Sequence, residues 1–449
     1  MDFDQVLNPP ADKTRKIYQV FLLIVLIILS VKAALVLHGV SQNFSRDYFR
    51  WYLIGQRALE GKPLANPAGA QATGIPEGIN DGNFYKLPPA FGLFCAPLAL
   101  LPYTAYICVY YALSAACGAV AVLMAMKLLH GRAVPDNPWL LVVPTLMILP
   151  FAVDDLHCGN NNMIVLACML GGFYLSSRGK NLLGGLSIGM AVSLKLFPAA
   201  AVALAVMQRR WKLVAFSILG TLIWSLAVPM LIRGPESTIR DNLAWIDRIV
   251  APYAKAAPKV QWQERGTSVS NQSVFALIER FTRHVTAIEP GGGRKEMFIN
   301  VIDLPLRQVR IIEVSLLALA AGCVFWVCRA PRPADARLAD SAEFALLSVF
   351  ILLASPIAWT YFFTLLLLPV TVGVYVAIVH RQTSLGRWCA WLLLATVVLS
   401  LASLSKWPRM GGSLTWTGII WFVMSCVIRR RAAELSAPAV GEPLNVSSR

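Results

Sequence analysis

Charge is scarce in this 449-residue sequence: Asp, Glu, Lys and Arg make up 14% of it, where a soluble chain carries about 25%. That shortfall excludes a string of soluble domains. With 57% hydrophobic residues, the chain is not a disordered one either. The nine cysteines are odd in number, lie mostly in apolar runs and show no CxxC or Cys/His spacing. They read as small packing residues, which excludes a disulfide-built secreted module. Acidic residues are also few, 24 against 40 basic ones, leaving a net charge of +16. In a chain with mean hydropathy +0.60, the first meaning of that excess is orientation in a bilayer, not nucleic-acid binding.

Long apolar runs are abundant. The first, Ile17–Leu37, follows Lys13, Arg15 and Lys16 and is long enough to cross a hydrocarbon layer of about 30 Å. It has no small-residue cleavage site, so it reads as a retained span. Further spans are expected near 104–126, 139–152, 161–177, 182–207, 213–232, 308–327, 342–354, 359–379, 388–404 and 413–428. The run 182–207 is interrupted by Lys195, with Pro198 close behind. As one span it places Arg209, Arg210 and Lys212 outside; as two short helices bent at Lys195–Pro198 it places them inside. Positive-inside bias selects the bent pair. Nineteen Lys and Arg residues then fall on cytoplasmic segments, against Lys406 and Arg409 alone on the short outer connections.

The expected fold class is therefore all-α: a polytopic integral membrane protein with about 12 transmembrane helices and both termini cytoplasmic. A single transmembrane domain covers 1–431, with two long extracytoplasmic loops at about 38–87 and 233–307 and a disordered cytoplasmic tail at 432–449. Long loops between spans carry function more often than they merely connect. Asp47–Leu59 reads as a short helix with Tyr48, Trp51, Tyr52 and Ala58 on one face, and Ala90–Leu101 as an interfacial or re-entrant piece.

Polar groups at the outer rim of an apolar chain need partners, which makes them the candidates for chemistry. Asp47 fits either a general base or the N-cap of its helix. Asp154-Asp155-Leu156-His157-Cys158-Gly159-Asn160-Asn161-Asn162 is a short connection crowded with hydrogen-bonding groups. Asn160 and Asn162 suit sugar hydroxyls or helix caps, and His157 suits a phosphate or an idle surface position. The paired aspartates are weak grounds for a metal, and none is expected, nor any cofactor. Lys195, inside an apolar stretch, needs a counter-charge, a lipid phosphate or a route to water. Asn271-Gln272-Ser273 caps a helix at Val274–Phe281 or holds a sugar. Ser355-Pro356-Ile357-Ala358-Trp359 sits at an outer turn.

Taken in order, these pieces resemble glycosyltransferase family 87 of the GT-C superfamily. The matching segments are Asp47-Tyr48, Gly61-Lys62-Pro63, Tyr85-Lys86-Leu87-Pro88-Pro89, Ala96-Pro97-Leu98-Ala99 and Gly159-Asn160-Asn161-Asn162. Leu194-Lys195-Leu196-Phe197-Pro198, Arg209-Arg210-Trp211, Asn271-Gln272-Ser273 and Ser355-Pro356-Ile357-Ala358-Trp359 complete the set. The resemblance implies a GT-C type enzyme of the bacterial inner (plasma) membrane. It would move a hexose, mannose before arabinofuranose, from a polyprenyl-phosphate sugar to a glycolipid or glycan acceptor. Asp47 would be the base at the extracytoplasmic face, and Lys195 and His157 would bind the donor phosphate. Tyr48, Tyr85, Asn160, Asn162, Asn271, Gln272, Ser273 and Trp359 would contact substrate. Two departures stand out: Gly159-Asn160 where the family commonly has Gly-Gln, and Thr360-Tyr361-Phe362 where it often has histidine. The rival class is a secondary transporter or lipid flippase with a midplane site at Lys195.

Overall fold

The computed structural model describes residues 9–40, 47–64, 87–251, 266–288, 296–333 and 335–435. Proline and glycine punctuate its helices as backbone chemistry requires. Pro102 and Pro138 precede α4 (Tyr103–His130) and α5 (Trp139–Cys158), following α1 (Ala11–Val40), α2 (Asp47–Leu59) and α3 (Pro89–Cys95). Gly131 and Gly159, at φ 72° and 75°, close α4 and α5 in the left-handed conformation. Then come α6 (Asn162–Ser177), α7 (Asn181–Leu194), α8 (Ala199–Met207), α9 (Trp211–Arg233) and α10 (Pro235–Trp245). The remainder are α11 (Val274–Thr282), α12 (Leu306–Cys328), α13 (Arg337–Ala354), α14 (Thr360–Val379), α15 (Ser384–Ala402), α16 (Lys406–Met410) and α17 (Ser413–Arg430). A last turn covers Ala432–Leu435.

Among the described residues there is no β-strand, only an isolated bridge between Ile288 and Met297. Among the described residues, seven helices are long and apolar enough to cross a membrane: α1, α4, α5, α9, α12, α14 and α15. The chain is a polytopic all-helical membrane protein. The helices α6 and α7 are apolar but shorter, 16 and 14 residues, or about 24 and 21 Å at 1.5 Å per residue. The break anticipated at Lys195 is present: α7 ends at Leu194, Lys195 is extended, and α8 begins after Pro198.

The core lies where α4, α5, α6, α7, α13 and α14 meet. Closest approach is between α7 and α9, where Gly185, Gly189 and Gly220 leave no room for a Cβ between the two backbones. Small residues at such a crossing are the usual means of helix association in lipid. Near its end α9 widens into a π-turn at Ile223–Ala227, just ahead of Pro229. A proline there cannot donate to the preceding turn. The Ser225 carbonyl is instead met by Asn242 Nδ2 of α10 at 3.3 Å.

Candidate active site

The site starts from the junction of α5 and α6. Asp155, fully buried in the last turn of α5, turns its carboxylate to the start of α6. It accepts from Asn162 Nδ2 at 2.9 Å and from the Met163 amide at 3.3 Å. A negative charge is favoured at that end of a helix, where amide hydrogens are unpaired. The carboxylate therefore orders the intervening Gly159–Asn161 turn.

The amphipathic helix α2 docks on this turn. Tyr48 is buried and its hydroxyl donates to the Leu156 carbonyl at 2.6 Å; Trp51 Nε1 donates to the Gly159 carbonyl at 2.9 Å. Edge-on contacts of Tyr48 with Tyr110 and of Trp51 with Phe91 complete the seat. On the other side Gly55 lets α2 press against the end of α3, since a Cβ there would lie 2.8 Å from the Cys95 carbonyl oxygen. The result places Asp47, first residue of α2, over Asn160. Asn160 Nδ2 donates to Asp47 Oδ2 at 3.3 Å, and Arg50 Nη1 binds Asp47 Oδ1 at 2.9 Å. One Asp47 oxygen is thus paired with Arg50 in the first turn of its own helix, and the other is turned to Asn160.

From Asn160 a chain of hydrogen bonds leads to the broken helix. Lys195 Nζ donates to Asn160 Oδ1 at 3.0 Å and to Asn162 Oδ1 at 2.5 Å. Both acceptors are neutral amides. Lys195 makes no ion pair among the described residues, so its charge is positioned without being neutralised by contact. Asp155 and Asp47 are the carboxylates whose charges act on it. Phe197 and Phe362 flank the ammonium, 5.8 and 5.5 Å from their ring centroids. An ammonium has three donors, and two are spent here.

The 266–288 segment is tied to the same end of the bundle. Asn271 Nδ2 donates to the Gly266 and Pro356 carbonyls, while its Oδ1 accepts from the amides of Ser273 and Ala358. Gln272 donates through Nε2 to the Val269 and Arg409 carbonyls and accepts from the Leu414 amide. Ser273 caps α11 through the Ala276 amide and donates to Pro356. Nearby, Arg280 is buried among the carbonyls of Thr267, Ser268 and Asn271. Burial pulls its pKa down to about 10, which leaves it protonated at neutral pH. Through Pro356 and Ala358 this clip holds the segment leading to Tyr361, whose carbonyl accepts from Asn162 Nδ2 at 3.4 Å.

The structure therefore joins Asp47, Asn160, Asn162 and Lys195 directly. Asn271, Gln272 and Ser273 are buried with their side-chain polar groups turned to backbone, and among the described residues they are linked to the cluster through the 355–361 segment. Trp359 is half-buried ahead of the 3₁₀ turn that opens α14. His157 lies in the last turn of α5, half-buried, while the Asp47–Lys195 chain runs through Asn160. Tyr85 lies outside the described residues. The Gly61-Lys62-Pro63 motif is a tie between the end of α2 and the α9–α10 junction. Arg57 binds the Pro63 carbonyl through two nitrogens, and Arg233 reaches both the Lys62 carbonyl and Asp241. Sequence reasoning missed Arg50, although its i+3 spacing from Asp47 was a readable signal. It also missed the helix-capping role of Asp155 and the nearness of Arg409 and Lys32, whose charges act on Asp154. Among the described residues no group of three or more His, Cys, Asp or Glu is placed to hold a metal ion.

A carboxylate and an unneutralised ammonium are joined through one amide at one end of the membrane helical bundle, which sets a candidate base beside a candidate anion ligand. The model of glycosyltransferase family 87 matches residues 85–356. That is more than half of the chain, so the chain belongs to this family and is a membrane glycosyltransferase. The matched stretch contains Asn160, Lys195 and Asn271; Asp47 precedes it and Trp359 follows it. Neither the curated proteins nor the solved structures gave a match.

Proposed function

We propose that the enzyme moves a hexose, mannose in the first instance, from a polyprenyl-phosphate sugar to a hydroxyl of a glycolipid or glycan, at the extracytoplasmic face of the inner membrane. Asp47 accepts the proton of the acceptor hydroxyl as its oxygen attacks the anomeric carbon. The bond from that carbon to the phosphate oxygen breaks, and the lipid phosphate leaves with the electron pair. A phosphate monoester is a competent leaving group, so the scheme needs one base and a cation but no general acid. Lys195 supplies the cation. A single displacement inverts the anomeric configuration. The donor's isoprenoid tail stays in lipid, which is why the site is built at the end of membrane helices.

The observation that carries this reading is the bond pair Asp47–Asn160–Lys195, which fixes base and cation relative to each other through one side chain. Asn162 repeats the contact to Lys195 and links it to Asp155. Tyr48 serves here by seating α2, and Asn271, Gln272 and Ser273 by holding the 355–361 segment. The test is transfer from labelled polyprenyl-phosphate sugars by purified Asp47→Asn protein. A loss of roughly 10²–10⁴-fold with unchanged melting temperature is expected for removal of a general base. Transfer at the native rate would remove Asp47 from that role. Product from the mannose donor and none from the arabinofuranose donor would fix the sugar; the reverse result would replace it.

A further inference from the structure

At the opposite end of α6 and α7 from Asn162 and Lys195, the structure holds a cavity of about 920 Å³. It is bounded by the ends of α4 and α6, the start of α7, the α8–α9 turn and the start of α13. Six cations line it: Lys127, Arg178, Arg209, Arg210, Lys212 and Arg337. The one carboxylate in its wall, Asp340, is held by Arg210 at 2.5 Å. Arg337 is occupied by Asp335 outside the wall. Lys127, Arg178, Arg209 and Lys212 form no ion pair among the described residues.

Orientation in a bilayer explains basic residues on this face but not their convergence on one concavity. Two features indicate that the convergence is built. Lys127 and Arg178 sit over the same Tyr174 ring, at 5.3 and 5.7 Å from its centroid, which holds two like charges side by side. Arg209 occupies the αL position of the α8–α9 turn at φ 57°, the only non-glycine residue with positive φ among those described. Glycine is the residue that usually takes that conformation. An arginine there directs a guanidinium to the cavity wall at a conformational cost. Leu128, Leu213 and the exposed Trp211 supply apolar wall beside the cations.

We propose that this cavity binds a phosphate-bearing anion, and that its natural source is the headgroup of an acidic phospholipid in the leaflet facing it. Basic pockets between membrane helices are suited to such headgroups, and arginine to paired phosphate oxygens. The site is separate from the Asp47 centre by the length of α6, about 24 Å, and does not depend on the reaction assigned there.

The test uses the full-length protein in nanodiscs of phosphatidylcholine, with and without added phosphatidylglycerol or cardiolipin, and in detergent with inorganic pyrophosphate. The comparison is between Arg178→Gln/Lys212→Gln, which removes two exposed cavity cations, and Arg381→Gln/Arg387→Gln, which removes equal charge elsewhere on that face. Wild type and the control pair should melt higher with acidic lipid and retain it in native mass spectra, while the cavity pair retains roughly tenfold less. Stabilisation by pyrophosphate alone, lost in the cavity pair, would keep the anion site and overturn its lipid source. Equal behaviour of the two double variants in every arm would overturn the site.

Discussion

The ring of Tyr48 lies against the bare Cα of Gly159: a Cβ added at Gly159 would sit 2.5 Å from Tyr48 Cδ2. That contact, with the Tyr48 hydroxyl on the Leu156 carbonyl, fixes the height of α2 over the α5–α6 turn. It thereby fixes the distance from Asp47 to Asn160. Gly159 also needs its φ of 75° to end α5. Replacing it by alanine costs about 1–2 kcal/mol for the left-handed backbone, and about 1–3 kcal/mol more for the overlap with the ring. Gly159→Ala should lower both the melting temperature and sugar transfer. Gly171→Ala, whose Cβ would find only Ser187 Oγ at 3.8 Å, should change neither. Equal effects of the two would show that the Tyr48 contact does not matter.

Lys195 separates donor binding from the rest of the reaction. Truncation to alanine removes the ammonium and leaves the Asn160 and Asn162 carbonyl oxygens without their shared donor. The expected outcome for Lys195→Ala is a rise in donor KM of about tenfold or more, some 1.4 kcal/mol or above, with acceptor KM little changed. Steady-state kinetics with each substrate varied in turn decides it. A KM effect confined to the acceptor would reverse the assignment.

The clip at Asn271 is a matter of satisfied backbone. Its side chain serves two carbonyls and two amides in segments 85 and more residues apart. Each buried group left unpaired costs about 1–3 kcal/mol. Asn271→Ala should therefore loosen the 266–288 and 355–361 segments together, seen as faster amide exchange in both. Asn271→Asp keeps the acceptors and loses the donors, and should fall between. Exchange that rises in one segment alone would break the proposed link.

How much of this was legible follows from the range of each interaction. A lysine and a proline three residues apart in an apolar run gave away the helix break at Lys195–Pro198, because both are costly inside a lipid-facing helix. The amphipathic period of Asp47–Leu59 and the Ser273 cap of α11 were likewise local, and the structure has both. Partners distant in sequence were not readable. Nothing in either local pattern says that Asn271 meets Pro356 and Ala358, or that Asn160 stands between Asp47 and Lys195. Asp155 was one of a pair of adjacent acids, and only folding separates them: Asp155 is buried at the head of α6 while Asp154 stays half-buried nearer Arg409. The polar residues Asn271, Gln272 and Ser273 fitted either a helix cap or a sugar, because composition reports polarity, not whether the backbone has already claimed it.

At the far end of the bundle a buried ion-pair network centres on Glu343. Its Oε1 binds Arg429 Nε at 2.7 Å with both side chains fully buried, and its Oε2 takes Arg332 at 2.7 Å and Gln208 Nε2 at 2.5 Å. Arg429 also donates to the Ala330 carbonyl at 2.8 Å, so the network ties α13 and α17 to the connections around them. Removing the carboxylate strands a buried guanidinium, which typically costs about 3–5 kcal/mol. Glu343→Ala should lower the melting temperature more than any single change at Asp47, Asn160 or Lys195. The paired change Glu343→Leu/Arg429→Met, which removes both charges with side chains of similar volume, should recover most of the loss. A paired variant no more stable than Glu343→Ala would show that the network is held by its geometry and not by the balance of charge.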